Sequence, residues 1–148
     1  MSELKEKILK ECIRIQSEKA GLAMDAMKEL QQQANDYGQP KDRYDAFRNQ
    51  LLRKRDLFAE QYQNYMNDLK VLNILDPNCS TIKVEFGSIV KTSMQNLFIS
   101  IGIGKFNVDG TDYFAISPKV PIYKVIEGLK VGDEYMFNNK IFKILELI

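Results

Sequence analysis

The stretch Ala34-Asn35-Asp36-Tyr37-Gly38-Gln39-Pro40 decides how the first half of the chain folds. It concentrates residues that stop helices, whereas residues 4–33 before it and 41–72 after it carry apolar side chains at helical spacing. A short loop between two long amphipathic helices makes them antiparallel neighbours. The sequence therefore predicts a helical hairpin with arms of about 45 to 50 Å, whose tip projects far from the rest of the chain.

The apolar positions of the two helices alternate about three and four residues apart, as in the seam of a coiled coil. In the first helix they are Leu4, Ile8, Cys12, Ile15, Leu22, Ala26 and Leu30, and in the second Tyr44, Phe47, Leu51, Phe58, Tyr62, Tyr65, Leu69 and Leu72. Pairing the helices about the loop centre predicts Leu51 near Met24. We interpret the aromatic stripe of the second helix as the core of the hairpin.

The composition changes after residues 76–78, where glycine and β-branched residues become frequent and alternation with period two begins. Strands are predicted over 81–92, 97–105, 106–108, 113–116, 134–137 and 141–146. A short helix over 122–127 is expected, with Pro121 at its first position and Gly128 as its C-terminal cap. Asp109-Gly110 and Asn138-Asn139 predict tight hairpin turns.

These patterns together predict an α+β protein. We expect a long antiparallel helical hairpin over residues 1–75, a linker over 76–81, and a small, mostly antiparallel β domain with one short helix over 82–148. Gly87, within the first predicted strand, is expected at a bulge or a close contact.

Composition excludes several classes of function. The chain has 148 residues, of which 45% are hydrophobic, and its 21 basic and 20 acidic residues leave a net charge of +1, so binding of free DNA through bulk charge is not expected. There is no histidine, and Cys12 and Cys79 form no CxxC motif, so we interpret both cysteines as small buried residues. No signal-peptide pattern and no apolar run of about 20 residues is present, which predicts a cytoplasmic protein without membrane contact.

Four segments of the second half carry a further pattern. They are Val84-Glu85-Phe86-Gly87-Ser88-Ile89-Val90, Ile116-Ser117-Pro118, the run PIYKVIEGLKVGDE at residues 121–134, and Phe142-Lys143-Ile144-Leu145-Glu146-Leu147. These segments resemble the C-terminal domain of the bacterial Gre transcript cleavage factors. The order of parts, a long helical hairpin, a linker and a small β domain, is also that of the Gre family.

The resemblance implies an FKBP-like β domain that docks on RNA polymerase at the mouth of the secondary channel. The docking residues it implies here are Pro121, Ile122, Lys124, Gly128, Gly132 and Asp133. The hairpin of a Gre factor enters the channel, where its tip acids help to hold a second catalytic Mg²⁺ and the polymerase cleaves backtracked RNA. The chain itself is then no enzyme, and at most it stimulates cleavage by the polymerase near the 3′ end of the nascent RNA.

The predicted tip departs from the Gre pattern. If Tyr44 aligns with the last tyrosine of the Gre tip motif, Tyr37 and Pro40 occupy the two acidic positions, and neither can bind Mg²⁺. Asp36, Asp42 and Asp45 remain as candidate ligands, because Mg²⁺ binds through one or two carboxylates. The helix dipole for Asp42 and an Asx turn before Gly38 for Asp36 explain these aspartates better without a metal.

Basic residues cluster near the predicted tip. Lys41, Arg48 and Arg55 are seven residues apart, and Arg43 adds to them, so this stripe is a candidate contact for RNA or for the channel wall. The alternative is a solvated helix face paired with acidic residues of the first helix.

A second function suits the same scaffold. The chain would then be an interaction or adaptor module without a role in cleavage, either similar to the nucleoside diphosphate kinase regulators, whose β domain resembles that of Gre, or a dimerising coiled coil. Turn and cap chemistry explains Pro121, Gly128 and Gly132 without any partner.

Overall fold

The computed structural model describes residues 2–39 and 45–148 and has the α+β fold that the sequence predicts. The described residues form three α-helices and six strands. They are α1 (Ser2–Tyr37), α2 (Ala46–Asn73), β1 (Ile89–Thr92), β2 (Asn96–Ile99), β3 (Gly104–Val108), β4 (Thr111–Ile116), α3 (Pro121–Ile126), β5 (Glu134–Phe137) and β6 (Lys140–Leu147). The chain divides into two compact units, one made of the first 13 residues with 71–148 and the other of residues 14–70.

The first helix is longer than predicted. α1 continues through Tyr37, so residues 34–37, which the sequence assigns to the loop, are helical. The helix then ends at Gly38, where φ is +90° and the backbone N–H donates to the carbonyls of Ala34 and Asn35 at 3.2 and 3.1 Å. Glycine adopts this left-handed conformation without the strain that a side chain would add.

The predicted register of the hairpin, with Leu51 near Met24, is wrong. Arg55 Nη1 donates to Gln31 Oε1 at 2.6 Å, so the middle of α2 lies beside a later part of α1 than the sequence suggested. Two boundaries explain the shift. The first helix ends at Tyr37 instead of residue 33 and α2 begins at Ala46 instead of residue 41, so the point where the chain reverses moves towards the C-terminus.

The seam of the hairpin also uses smaller residues than predicted. In unit 14–70 the buried residues among those described are Gln16, Ala20, Ala23, Ala34 and Leu51. By contrast, Leu22 is 64% exposed and Phe47 is 56% exposed, although both were predicted to lie in the core. The buried positions of α1 keep the expected spacing of three and four residues. They are occupied mainly by alanines, whereas the sequence analysis placed the larger neighbouring residue Leu22 in the seam.

The six strands form one sheet with the order β3-β4-β2-β1-β6-β5. Its pairings are antiparallel apart from β2 with β4, which run parallel with Leu97 beside Phe114 and Ile99 beside Ile116. The sheet is therefore mixed but mostly antiparallel, as the sequence predicted, and only the parallel pairing was not anticipated. The chain leaves β2, forms the outer strand β3 and returns as β4 between them, and this return makes β2 and β4 parallel.

The first predicted strand is shorter than expected. Only Ile89–Thr92 is a strand, and residues 81–88 form turns instead. Ser88 holds one of these turns, since its hydroxyl accepts from the Glu85 N–H at 3.0 Å and its own N–H donates to the Glu85 carbonyl at 3.0 Å. Gly87 has a φ of +92°, and a Cβ there would lie 3.1 Å from Leu75 Cδ2, so the predicted close contact at this glycine is confirmed.

The short helix and both hairpin turns match the sequence prediction. Pro121 is the first residue of α3, which buries Tyr123 and Ile126 against the sheet. The core of this β domain consists of Val84, Val90, Leu97, Ile99, Tyr123, Ile126, Tyr135, Phe142, Ile144 and Leu147. Asp109, Asn138 and Asn139 adopt positive φ values of 52°, 54° and 63°, as tight turns between neighbouring antiparallel strands require.

Two lysines bind the first turns of α1 to the rest of their unit. Lys5 is only 4% exposed, and its ammonium donates to the Cys79 carbonyl at 2.7 Å and to the Ile148 carbonyl at 3.4 Å. Lys7 pairs with Asp109, in the turn between β3 and β4, at 3.1 Å. The start of α1 is thus fixed to the linker, to the end of the chain and to one hairpin turn.

Candidate functional site

Two surfaces correspond to the residues that the sequence singled out. The first, called the tip here, comprises the described residues 36–39 and 45–48. The second, called the α3 segment, comprises residues 121–133. Lys41, Asp42, Arg43 and Tyr44, which the sequence placed at the tip, lie outside the described residues.

The two described acids of the tip stabilise helix ends. Asp45 precedes α2, and its carboxylate accepts from the Arg48 N–H at 3.3 Å while its carbonyl accepts from the Asn49 N–H at 3.1 Å. It is therefore the N-cap of α2. Asp36 lies within α1, where its carboxylate accepts from the Gln32 side chain at 2.8 Å instead of forming a turn before Gly38.

Metal binding at the tip is untested by these contacts. Within residues 2–39 and 45–148, no three Cys, Asp or Glu residues lie close enough together to hold a metal ion. Asp42 lies outside the described residues, so this statement does not include it. The Mg²⁺ role predicted for Asp36, Asp42 and Asp45 therefore stays a prediction, with Asp36 and Asp45 already engaged in helix structure.

The two described arginines of the basic stripe face the other helix. Arg48 Nε donates to the Gly38 carbonyl at 3.1 Å, so it secures the end of α1. Arg55 donates to Gln31 at 2.6 Å and also forms an ion pair with Asp56 at 2.7 Å. Both guanidinium groups hold the hairpin together, and partners other than acidic residues of α1 account for these contacts.

An aromatic contact at the tip was missed by the sequence analysis. The rings of Tyr37 and Phe47 are tilted by 52°, with centroids 5.1 Å apart. Tyr37 was assigned to the loop and Phe47 to the core, so nothing indicated that they would meet. The contact places an exposed phenylalanine beside the last turn of α1.

The α3 segment has an outward side and a structural side. Pro121 and Lys124 are exposed, whereas Ile122 is half-buried against the core. Gly128 and Gly132 have φ values of +81° and +92°, and their N–H groups donate to the carbonyls of Val84 and Ile144, each at 2.8 Å. The two glycines therefore shape the segment and offer no side chain to a partner.

The remaining part of the α3 segment combines a capped turn with exposed valines. Asp133 accepts from the Lys130 N–H at 2.8 Å and thereby closes the turn before β5. Val125 and Val131 are 42% and 57% exposed and were not among the predicted docking residues. The helical spacing could have indicated Val125, because Tyr123 and Ile126 occupy the inward side of α3.

Neither cysteine is an activated thiol. Cys12 is buried as predicted, and burial raises the pKa of its thiol to about 12. Cys79 is exposed, so the prediction that it is buried is wrong; a hydrogen bond to Asp76 raises the pKa of its thiol as well. A reactive cysteine requires a lowered pKa, and both shifts go the other way.

Comparisons with known proteins find distant structural neighbours and no sequence match. No protein-family model and no curated protein matches the chain. It is similar to a crystal structure of the GreA factor homolog 1 (Gfh1) protein of Thermus thermophilus, at 15% identity and a TM-score of 0.35, over 96% of this chain and 93% of that one. A structure of the transcription factor Gfh1 gives 15% identity and a TM-score of 0.34, over 91% and 92% of the two chains.

These likenesses are too distant to carry an argument about function, and the fold described above rests on this chain alone. No helix within the described residues is both long and apolar enough to cross a bilayer.

Proposed function

We propose that this chain is a Gre-like transcription factor that binds RNA polymerase through the α3 segment and inserts its helical hairpin into the secondary channel. The observation that carries the proposal is the conformation of residues 121–134, where the sequence resembles Gre. This run forms a proline-initiated helix followed by two glycine turns, and it leaves Pro121, Lys124, Val125 and Val131 outward. Exposed aliphatic side chains with a charged residue at their edge match the apolar centre and polar rim of a protein–protein contact.

The hairpin supports the same proposal. Within the unit of residues 14–70, α1 contributes residues 14–37 and α2 contributes residues 46–70, so each arm is about 36 Å long at 1.5 Å per residue. Contacts such as those of Gln31 with Arg55 hold the arms together. A thin paired rod of this length suits a narrow channel better than a broad surface.

We infer a modulating role without strong stimulation of cleavage. Asp36 and Asp45 are engaged with Gln32 and with the N-terminus of α2. A Gre-type site needs carboxylates free to bind Mg²⁺ together with phosphate and water. The tip would then act by occupying the channel beside the RNA 3′ end.

A binding assay with purified bacterial RNA polymerase tests the docking step. We expect the chain to bind the core enzyme, and Lys124→Glu to weaken binding at least tenfold. Lys143→Glu, an exposed substitution on β6, is the matched control and should bind like the wild type. Absence of binding by the wild-type chain would overturn the proposed function.

Stalled, backtracked transcription complexes test the action of the tip. We expect the bound chain to change the rate of elongation or restart without shortening the RNA. If the RNA is shortened, the triple substitution Asp36→Ala, Asp42→Ala and Asp45→Ala decides the metal role: loss of cleavage assigns Mg²⁺ binding to these acids, and retained cleavage excludes them.

Capture of binding partners from a native lysate distinguishes the adaptor function from the transcription factor. Enrichment of polymerase subunits supports the transcription factor. Enrichment of a different, saturable partner that Lys124→Glu does not affect supports the adaptor. Self-association of the purified chain supports the dimerising hairpin.

A further inference from the structure

A cleft opens on the face of the sheet that carries α3. The helix has only six residues, so it covers part of that face and leaves the rest accessible. The cleft, called the α3 cleft here, has a volume of about 310 Å³. Six apolar side chains line it: Leu97, Phe114, Ile116, Ile122, Phe137 and Phe142.

The walls of the α3 cleft remain partly exposed. Phe114, Ile116, Ile122 and Phe137 pack against the core of the β domain but keep some of their surface in solvent. Concave apolar surfaces of about 300 to 1,000 Å³ with a few polar groups are typical of binding sites. The α3 cleft lies at the lower end of that range, which fits one large side chain better than a nucleotide or another extended cofactor.

The rim of the α3 cleft carries a cation. Lys140 lines the cleft together with Gln95 and Asn138, and it is exposed. Lys140 forms no ion pair with any residue in the described part of the chain. An occupant that places a carboxylate beside its apolar group would match this charge, whereas a second cation would be repelled.

A second, polar cleft continues from the first. It has a volume of about 460 Å³ and shares Gln95 and Phe114 with the α3 cleft. Lys105 and Asp112 lie in it as an ion pair at 3.4 Å, so this part offers both donors and acceptors without a net charge. Such a surface suits the backbone and polar side chains of a peptide, and the two clefts together are longer than one side chain.

We propose that the α3 cleft is a peptide-recognition site for a protein partner. A large apolar side chain of the partner, phenylalanine or leucine, occupies the cleft, a neighbouring carboxylate pairs with Lys140, and the residue on the other side lies over the polar cleft. This site is distinct from the outward residues Lys124, Val125 and Val131, and the proposal does not depend on binding to RNA polymerase.

Titration of the full chain with short peptides, followed by NMR of its backbone amides, tests the proposal. The probes are acetylated, amidated pentapeptides Gly-Asp-Phe-Asn-Gly and Gly-Asn-Phe-Asp-Gly, which present the carboxylate on either side. We expect saturable shifts at Gln95, Phe114 and residues 137–140. Replacing the phenylalanine of the peptide by alanine should weaken binding at least tenfold, and replacing its aspartate by lysine should weaken binding about fivefold.

Variants of the chain separate the cleft from the surrounding surface. Lys140→Glu should reverse the preference between the aspartate and lysine peptides. Lys143→Glu, on the opposite face of the same strand, should leave it unchanged. Ile122→Trp should fill the cleft and abolish binding, with circular dichroism and the NMR spectrum confirming that the fold persists.

Several outcomes would overturn the proposal. One is shifts at the outer face around Met136 and Ile141 in place of the cleft, and another is binding that neither Lys140→Glu nor Ile122→Trp changes. If acetyl-phenylalanine amide binds as tightly as the pentapeptides, the occupant is a small molecule. If dilution of the chain alone shifts the cleft residues, the occupant is a second copy.

Discussion

Lys5 is a cation held inside the protein by backbone carbonyls. It is 4% exposed, and its ammonium donates to Cys79 and Ile148. Burial lowers the pKa of Lys5 from its ordinary value of 10.5, while Cys79 and the carboxylates of Asp76 and Glu85 oppose the shift. The residue thus combines useful hydrogen bonds with an unfavourable buried charge.

We predict that Lys5→Met lowers the free energy of unfolding by about 1–3 kcal/mol at pH 7, because two carbonyls lose their donor. The folded protein releases the Lys5 proton at a lower pH than the unfolded chain does. Wild-type stability from this residue therefore rises as the pH increases through the lowered pKa towards 10.5, and the difference between wild type and variant should widen. Urea unfolding of the wild type and of Lys5→Met between pH 7 and pH 10 measures this difference in the free energy of unfolding.

Lys7→Met is the control for Lys5. Lys7 is two residues away and pairs with Asp109 in solvent, so its loss should change the unfolding midpoint little. Equal losses of stability in the two variants would contradict a special role for the buried ammonium.

Tyr135 presents the opposite case, a buried hydroxyl without a partner. Its ring stacks on Phe142 at 5.1 Å. The Gln95 and Thr92 side chains lie near the hydroxyl and interact with it weakly, but none of the described residues forms a hydrogen bond of good geometry with it. Tyr135→Phe removes a desolvated polar group and keeps the ring, so we expect the free energy of unfolding to rise by up to about 1 kcal/mol at pH 7. Thermal unfolding measures the change in stability, and a fall instead of a rise would show that the hydroxyl has a hydrogen-bond partner in the folded protein.

The same substitution should alter the response to alkali. Burial raises the pKa of Tyr135 above its ordinary value of 10.0, with Gln95 and Thr92 opposing the shift. Stability from the neutral phenol is complete below the unfolded pKa and is lost as the pH rises through the folded pKa. Tyr135→Phe should therefore lose less stability than the wild type between pH 9 and pH 11.

At the scale of an element, α1 provides two adjacent residues with opposite environments. Leu22 is 64% exposed and Ala23 is 3% exposed. We predict that Leu22→Gln changes the free energy of unfolding by less than about 0.5 kcal/mol. Ala23→Gln should cost about 1–3 kcal/mol, because a longer polar side chain does not fit the seam. Chemical denaturation measures the free energy of unfolding of both variants. A larger loss for Leu22→Gln than for Ala23→Gln would instead favour the seam that the sequence predicted.

Local chemistry explains which elements the sequence could predict. Pro121 starts α3, and positive φ values at Asp109 and Asn138 belong to tight turns, so these features depend on a few neighbouring residues. The parallel pairing of β2 with β4 depends on where β3 inserts, which no local pattern encodes. The predicted hairpin register is wrong for a related reason, since the later end of α1 and the later start of α2 together shifted every contact between the two helices.

The candidate sites also combine features that a few neighbouring residues determine with features that depend on the whole fold. The glycine turns of the α3 segment were predictable from residue type, and their conformations agree. The inward orientation of Arg48 and Arg55 was not, because it depends on the register of α1 against α2. The α3 cleft was also beyond prediction, since its lining residues come from β2, β4, α3 and the last hairpin, and only the folded sheet brings them together.

At the scale of the whole molecule, the two units have different cores. In the unit made of residues 14–70, the buried apolar side chains among the described residues are three alanines and Leu51. The other unit buries residues such as Ile8, Phe98 and Tyr113. Since burial of apolar area supplies most of the stabilisation, the hairpin unit should open at a lower free energy.

We therefore predict two classes of hydrogen exchange in the native protein. Amides of residues 14–39 and 45–70 should exchange at least tenfold faster than the core amides of β1, β2 and β6 at neutral pH, because local opening of the hairpin exposes less apolar surface. Mass spectrometry of peptic fragments resolves the two regions, and increasing urea should make their opening free energies converge only near the global transition. Equal protection in water would mean that both units open in one cooperative step.

Ala23→Gln provides the decisive comparison. It should accelerate exchange within residues 14–70 and leave the slowest amides of the sheet unchanged. Acceleration of both would show that the hairpin and the β domain share a single stability.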